Sequence, residues 1–218
     1  MDKVSGGQNA TEWEWPDNHY DPFAADLPNA GIMCVFDVEY TAWEGSHARR
    51  WSEPWEHREI IHMGAVAVDA GSGFRELAAF EVYVRPTLNP TLSDYICSLT
   101  GIDDAKLDAE GVSFPEAWQR FCEFVGPTMP IYANGTDAMV LRDNCWLNNI
   151  SYTIHLTRTH NLRRILAQAI GIDSAQAISS HLPDLLGLKS MPECHTGLWD
   201  ARAIVAGLSE LRKRGAIS

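Results

Sequence analysis

The chain has 218 residues, 45% of them hydrophobic, and a formal net charge of −12. This length allows one sizeable core, so a single domain is expected. The negative charge disfavours broad attraction to duplex nucleic acid, because such affinity comes largely from Lys and Arg neutralising phosphates. Five scattered cysteines without a C-x-x-C pair predict reduced thiols. The sequence has no secretory signal pattern and no apolar run long enough to span a membrane, which predicts a soluble, cytoplasmic protein without membrane contact.

The first elements in chain order are an arm and three strands. Residues 1–30 are rich in Pro, Asn, Asp and Gly and predict an N-terminal arm, followed by a single domain over 31–218. The apolar run 32–36 predicts a strand that is buried on both faces and ends at Asp37. Residues 59–68 and 77–84 predict the second and third strands of an antiparallel meander.

Helices and short strands alternate in the rest of the chain. Ser113 and Glu116 have the spacing of a capping box, which predicts a helix that runs to about Val125. The further predicted elements are strands at 131–133 and 152–156 and helices at 137–147, 162–170, 177–186 and 198–214. Strands first, and then helices alternating with strands, indicate an α/β sheet flanked by helices.

Asp37 and Glu39 are the first candidates for chemistry. In an extended strand their side chains point to one face, about 6.6 to 6.8 Å apart along the chain, and they repel each other unless a cation lies between them. They follow a buried strand, at the end where α/β sheets usually place ligands. A second copy of the pattern, Asp108-Ala-Glu110, follows no apolar strand and indicates a solvated loop. The strand context therefore favours a functional role for the first copy.

Three later residues have ordinary explanations when each is taken alone. Asp137 lies at a strand-to-helix junction, where an acidic residue complements the helix dipole. His195 and Asp200 form an H-x-x-x-x-D pattern at the start of the last helix, and His195 can equally be a histidine that merely flanks that helix. Their order along the chain, after the D-x-E pattern, is what makes them informative.

As an ordered set these motifs resemble the DEDDh (DnaQ-like) exonucleases of the RNase H-like fold. Within that family, the segment 85–102 most resembles the Eri-1/histone-mRNA 3′-exonuclease-like branch. One departure concerns the third motif, where the branch usually carries an aromatic residue and a Gly close before its Asp, whereas Tyr132-Ala-Asn-Gly-Thr precedes Asp137 here. The similar segments are FDVEYT (36–41), EIIHMGAVAVD (59–69), LTGI (99–102) and HTGLWDA (195–201).

The resemblance implies a central mixed five-stranded sheet with helices on both faces. It also implies a metal-dependent 3′→5′ exonuclease that releases nucleoside 5′-monophosphates from single-stranded RNA or DNA 3′ ends, with RNA slightly favoured. Hard carboxylate oxygens suit Mg²⁺ or Mn²⁺, and two such ions can bracket a scissile phosphate. The implied metal ligands are Asp37, Glu39, Asp137 and Asp200, the general base is His195, and the contacts to the terminal nucleotide are Glu39, Thr41, Leu99 and Ile102.

Some readings remain open at the level of sequence. The segment from Trp43 to Arg58 interleaves basic and aromatic residues, which either grip single-stranded nucleic acid or pack as a loop on the domain. The chain can also be a non-catalytic module that binds nucleic acid or protein on an RNase H-like scaffold. A third reading is a phosphodiesterase for very short oligonucleotides. The sequence does not define an oligomeric state.

Overall fold

Five strands form one mixed sheet in the order β3-β2-β1-β4-β5. The coordinates are a computed structural model, and the structure describes residues 27–188 and 196–218. β1 pairs antiparallel with β2, which pairs antiparallel with β3, while β4 runs parallel to both β1 and β5. The strands are β1 (Ile32–Tyr40), β2 (Ile60–Asp69), β3 (Arg75–Tyr83), β4 (Ile131–Ala133) and β5 (Thr159–Asn161).

Helices cover both faces of this sheet, which confirms the predicted fold class. Cys34 and Phe36 of β1 face one core, together with Phe121 and Leu141 from two helices. Val35 points to the opposite core, which is filled by three other helices. The helices are α1 (Ser46–Arg49), α2 (Asp94–Thr100), α3 (Asp104–Glu110), α4 (Phe114–Val125), α5 (Asp137–Leu147), α6 (Arg163–Ile170), α7 (Leu182–Leu185) and α8 (Gly197–Lys213).

Two of the strand predictions were wrong in position. β1 does not end at Asp37, because its backbone stays paired with β2 as far as Tyr40, opposite Ile60. The fifth strand lies at Thr159–Asn161 instead of 152–156. Tyr152 and Ile154 do contact the core, but the chain pairs with β4 only afterwards, where Thr159 lies opposite Ile131. The segment 152–156 was predicted as a strand because its apolar residues contact the core, although they do not pair with another strand.

The helix predictions were wrong in two regions. Asp108 and Glu110 belong to helix α3 rather than a loop, although both are exposed as predicted. α2 and α3 were missed because each has only seven residues, and their caps, Ser93 and Asp103, are the local signals that reveal them. The predicted helix 177–186 is shorter than expected, since only Leu182–Leu185 is α-helical after a 3₁₀ turn at Ser179–His181.

The helix predicted from the spacing of Ser113 and Glu116 is confirmed. The Ser113 hydroxyl accepts a hydrogen bond from the Glu116 amide at 3.4 Å, while the Glu116 carboxylate pairs with Arg120. The division into an arm and a domain stays a prediction, because residues 1–26 lie outside the described residues. Among the helices of the described part of the chain, none is long and apolar enough to cross a bilayer.

Candidate active site

The site begins on the face of β1 that α8 covers. Met33 and Val35 fill the core on this face, and the next two residues on the same face are Asp37 and Glu39. Asp37 is 7% exposed. In the ladder with β2, Asp37 lies opposite Gly64 and Glu39 lies opposite His62. The predicted orientation of the two carboxylates toward one face is therefore present in the fold.

Two glycines allow α8 to lie directly on these strands. A Cβ atom on Gly64 would stand 1.9 Å from the backbone nitrogen of Leu198, and one on Gly197 would stand 2.5 Å from the carbonyl oxygen of Asp37. Both distances are far below van der Waals contact, so only a residue without a side chain fits at either position. The first turn of α8 consequently rests on the backbones of β1 and β2.

This close packing brings Asp200 to the two strand carboxylates. One carboxylate oxygen from each of Asp37, Glu39 and Asp200 lies within 4.8 Å of the others. Asp200 belongs to the first turn of α8, and its amide donates to the Thr196 carbonyl oxygen at 3.0 Å. Three oxygen ligands at this separation can share a cation. Among the described residues, the exposed pair Asp108 and Glu110 belongs to no such group of three.

Asp137 approaches the same cluster from the edge of β1 that pairs with β4, opposite the edge that pairs with β2. Asp137 begins α5, is 9% exposed, and accepts a hydrogen bond from the Val38 amide at 3.4 Å. The paired part of β4 reaches only as far as Val35, so the Val38 amide lies beyond its end and Asp137 satisfies it. Asp137 is thus close to the cluster, but it is not among the three residues whose oxygens meet within 4.8 Å.

The carboxylates disfavour one another's charge. Burial and then the charges of Asp137, Asp200 and Glu39 hold the pKa of Asp37 well above its usual range. Burial, followed by Asp200 and Asp137, does the same to the pKa of Glu39. Burial and then Asp137 raise the pKa of Asp200 to about 7. A divalent cation would relieve this repulsion, because it supplies the positive charge that the cluster lacks.

Asp137 has neighbours that favour its ionised form. Burial raises the pKa of Asp137 to about 6, while hydrogen bonds from its own amide and that of Val38, and the charge of Arg163, act in the opposite direction. Arg163 itself is fixed by Asn134, whose backbone oxygen accepts from the guanidinium at 2.9 Å. Its nearness also explains Gly135, where φ is +125° and a Cβ would stand 2.8 Å from the guanidinium.

The other predicted site residues have different surroundings. His195 lies outside the described residues. Thr41 is 2% exposed, and its hydroxyl donates to the His57 carbonyl oxygen and accepts from the Glu59 amide at 3.0 Å. Leu99 is 40% exposed at the end of α2, whereas Ile102 is buried. Of these three residues predicted to contact the nucleotide, only Leu99 presents an exposed side chain.

The segment from Trp43 to Arg58 packs against the domain at some positions and is exposed at others. The Trp51 ring lies 5.6 Å from the Tyr40 ring, and its indole nitrogen donates to the Thr41 carbonyl oxygen at 3.2 Å. Trp55, in contrast, is 56% exposed. The structure therefore supports the packed-loop reading for Trp51 and leaves Trp55 available at the surface.

Two polar residues near the site were not found from sequence. The Ser179 hydroxyl donates to Asp37 at 3.4 Å and accepts from the Asn134 side chain at 3.1 Å. His62 is fully buried and accepts the Gly197 amide at 3.1 Å. Ser179 and Asp37 are 142 residues apart and His62 and Gly197 are 135 apart, so no local pattern signals either contact.

A mixed sheet with helices on both faces and a partly buried carboxylate cluster between β1 and α8 define an RNase H-like α/β fold with a candidate metal centre. The exonuclease profile of the RNase T family matches residues 34–208. The chain belongs to this exonuclease family.

Comparisons with individual proteins agree with this assignment. Human 3′-5′ exoribonuclease 1 is 25% identical over 88% of this chain and 53% of its own length. Human ERI1 exoribonuclease 2 is 33% identical over 43% of this chain, which is 12% of that protein. The chain thus spans about half or less of these relatives. The solved nuclease domain of 3′hExo, a DEDDh family member bound to rAMP, shares the fold with a TM-score of 0.73 and 23% identity, covering 88% of this chain and 96% of that domain.

Proposed function

We propose that this chain is a metal-dependent 3′→5′ exonuclease that removes nucleoside 5′-monophosphates from single-stranded RNA or DNA, with RNA the better substrate. One observation carries the proposal: Asp37, Glu39 and Asp200 converge within 4.8 Å in a chain of the exonuclease family. The preference for RNA rests on the relatives that are named as exoribonucleases.

The donor set fits hard divalent cations. Asp37, Glu39 and Asp200 offer only carboxylate oxygens, which suit Mg²⁺ or Mn²⁺. Asp137 completes the ligand set from the other side of β1, and four carboxylates are enough for two ions. When bound, such ions stabilise the charge on both the attacking and the leaving oxygen of a phosphate.

The remaining groups act on water and on the terminal nucleotide. His195 is the general base that takes the proton from the attacking water, because an imidazole can accept a proton near neutral pH. Glu39 also accepts from the terminal 3′-hydroxyl. Leu99 supplies apolar contact to the last nucleotide through its exposed side chain, and Thr41 and Ile102, both buried, are the other proposed contacts to that nucleotide.

The experiment uses 5′-labelled single-stranded RNA and DNA of the same sequence, with Mg²⁺ or Mn²⁺ and with a chelator. The protein is expected to shorten both from the 3′ end in single-nucleotide steps, faster on RNA, and a 3′-terminal phosphate is expected to block it. Asp37→Asn removes one ligand charge and is expected to reduce the rate by at least about 100-fold.

Asp108→Asn is the matched control. It makes the same chemical change in the second D-x-E pattern, on the exposed face of α3, and is expected to leave the rate unchanged. Folding of each variant is checked by circular dichroism. If folded wild-type protein produces no ladder on RNA or DNA with either metal, the proposal is rejected, and the non-catalytic module becomes the better description.

A further inference from the structure

His62 occupies an unusual place beside the site. It lies on β2 directly opposite Glu39, on the face that α8 covers, and its side chain is fully buried. Its Nδ1 atom accepts from the Gly197 amide at 3.1 Å, and its Nε2 atom lies 3.1 Å from a carboxylate oxygen of Glu81 on β3. The Tyr83 ring packs against it at 4.6 Å. Both ring nitrogens are therefore engaged within the protein, so His62 is unavailable as a general base.

The hydrogen bonds fix the tautomer of His62. Nδ1 must be unprotonated because it faces the N–H of Gly197, so the proton is on Nε2 and is donated to Glu81. The carboxylate of Glu81 holds the ring in this orientation, as acidic partners commonly do for histidines near metal sites. The hydrogen bond from His62 is also the largest influence that lowers the pKa of Glu81.

Gly197 is the first residue of α8, and its amide is one of those that a helix leaves without an internal partner. The preceding residue, Thr196, makes no capping bond with its side chain, and in the described part of the chain its buried hydroxyl has no hydrogen-bond partner. His62 thus provides from the sheet the cap that the helix lacks in its own sequence. Asp200 lies three residues later in the same turn, so the rotation of this first turn determines where its carboxylate points.

We propose that Glu81 and His62 form a positioning relay that holds the first turn of α8 and thereby sets Asp200 at the distance from Asp37 and Glu39 that a metal ion requires. The inference rests on the proposed metal-dependent function. His62 touches neither metal nor substrate; it acts through the Gly197 amide. Gly64, two residues further along β2, permits the approach of the helix, and His62 fixes its orientation.

Two amide substitutions separate the two hydrogen bonds of His62. In His62→Asn the side-chain oxygen stands near the place of Nδ1 and keeps the bond from Gly197. In His62→Gln the side-chain amide reaches the place of Nε2 and keeps only the bond to Glu81. Mn²⁺ affinity is measured by calorimetry for each, and kcat and KM are measured on single-stranded RNA. Asn is one methylene smaller than Gln and leaves the larger void at this buried position, so a role in packing alone would make His62→Asn the more damaging variant.

The relay predicts that His62→Gln weakens Mn²⁺ binding by about 10- to 100-fold and lowers kcat more than it changes KM, while His62→Asn stays within about threefold of wild type. Glu81→Ala, at a half-exposed position that tolerates truncation, removes the same bond that His62→Asn loses and is expected to weaken Mn²⁺ binding to a similar extent, by about threefold. Its matched control is Glu76→Ala, which removes a carboxylate that pairs with Arg202 in the second turn of α8 and is expected to leave Mn²⁺ affinity unchanged.

The outcomes distinguish this inference from the proposed function. If wild-type protein binds no Mn²⁺, the proposed function fails and the relay fails with it. If wild-type protein binds Mn²⁺ and the folded variants His62→Gln and Glu81→Ala bind it equally well, only the relay is overturned. Equal losses in His62→Asn and His62→Gln, or in Glu81→Ala and Glu76→Ala, also overturn it. Should His62→Gln fail to fold, the Glu81 and Glu76 pair decides alone.

Discussion

Without metal, the partly buried carboxylates of the site are expected to make the protein less stable as the pH rises. Asp200 shows this most directly, because burial, followed by the charge of Asp137, raises its pKa from 3.8 to about 7. In the unfolded chain the same carboxyl ionises near its ordinary value. Between these two values the folded protein holds a proton that the unfolded chain has lost, so the free energy of unfolding falls with increasing pH.

The size of the loss in unfolding free energy follows from the pH range between the unfolded and folded pKa values of Asp200. From about pH 5 to about pH 7 the difference falls from close to one proton to about half a proton, and each pH unit at a full proton corresponds to about 1.4 kcal/mol, which gives a loss of about 2 kcal/mol from Asp200. For a chain of this size the melting temperature should fall by roughly 4 to 8 °C. The raised pKa of Asp137, about 6, contributes in the same direction.

The assay is thermal unfolding followed by circular dichroism between about pH 5 and about pH 8, in a chelating buffer and then with Mn²⁺. Because Mn²⁺ binds the ionised carboxylates, its stabilising effect should grow with pH and oppose the loss. Metal-free Asp200→Asn keeps the size of the side chain without its charge, so it should melt above wild type at the higher pH and close to it at the lower. Asp108→Asn, on an exposed helix face, should follow wild type throughout.

The reasoning is refuted if metal-free wild-type protein melts at a constant or rising temperature across this range. It is equally refuted if metal-free Asp200→Asn is less stable than wild type at the higher pH, since this would mean that the ionised carboxylate stabilises the fold. A loss that Mn²⁺ does not reduce would show that the titrating groups lie elsewhere.

Three further predictions follow from the packing and charge of the site. Gly64→Ala places a Cβ 1.9 Å from the Leu198 nitrogen, so α8 must shift; Mn²⁺ affinity should fall at least about 10-fold in a calorimetric titration, and wild-type affinity would contradict the close packing. Thr41→Val leaves the Glu59 amide without its hydroxyl acceptor and should lower the free energy of unfolding, measured with denaturant, by about 1 to 3 kcal/mol. Thr41→Ser keeps the hydroxyl and should lower it less. Similar losses in both variants would contradict a role for the hydroxyl. Because the chain carries a net charge of −12, KM for RNA should depend weakly on salt, and a log–log slope as steep as that of a basic nucleic-acid binder would contradict this.

The sequence was most informative where the chemistry is local. The strand β1 was predicted because an apolar run precedes Asp37 and Glu39, and the one-residue spacing correctly predicted their common face. The position of β5 could not be predicted, because Tyr152 and Ile154 have the composition of a strand while the pairing with β4 depends on tertiary contacts at Thr159–Asn161. The amino-acid composition of a segment indicates whether it is buried, whereas its pairing with another strand depends on contacts with the rest of the fold.

The same distinction applies to the site. The spacing of Asp37 and Glu39, and the place of Asp200 at the start of a helix, can be read along the chain. The roles of His62 and Ser179 cannot, because each depends on a residue more than a hundred positions away. From sequence alone, a histidine within an apolar strand is interpreted as an ordinary core residue, because its contact with the start of a helix is visible only in the fold.

The packing of α8 bears on the proposed function, under which an acidic chain would act on a polyanionic substrate. Gly64 and Gly197 let the N-terminus of the helix rest on β1, so its partial positive charge lies next to Asp37. That partial charge does not balance Asp37, Glu39 and Asp200, whose pKa values all remain raised. Under the proposed function, this uncompensated negative charge attracts divalent cations. Bound cations, rather than basic side chains, would then attract phosphate, and the proposed centre would bind its substrate only when it is loaded with metal.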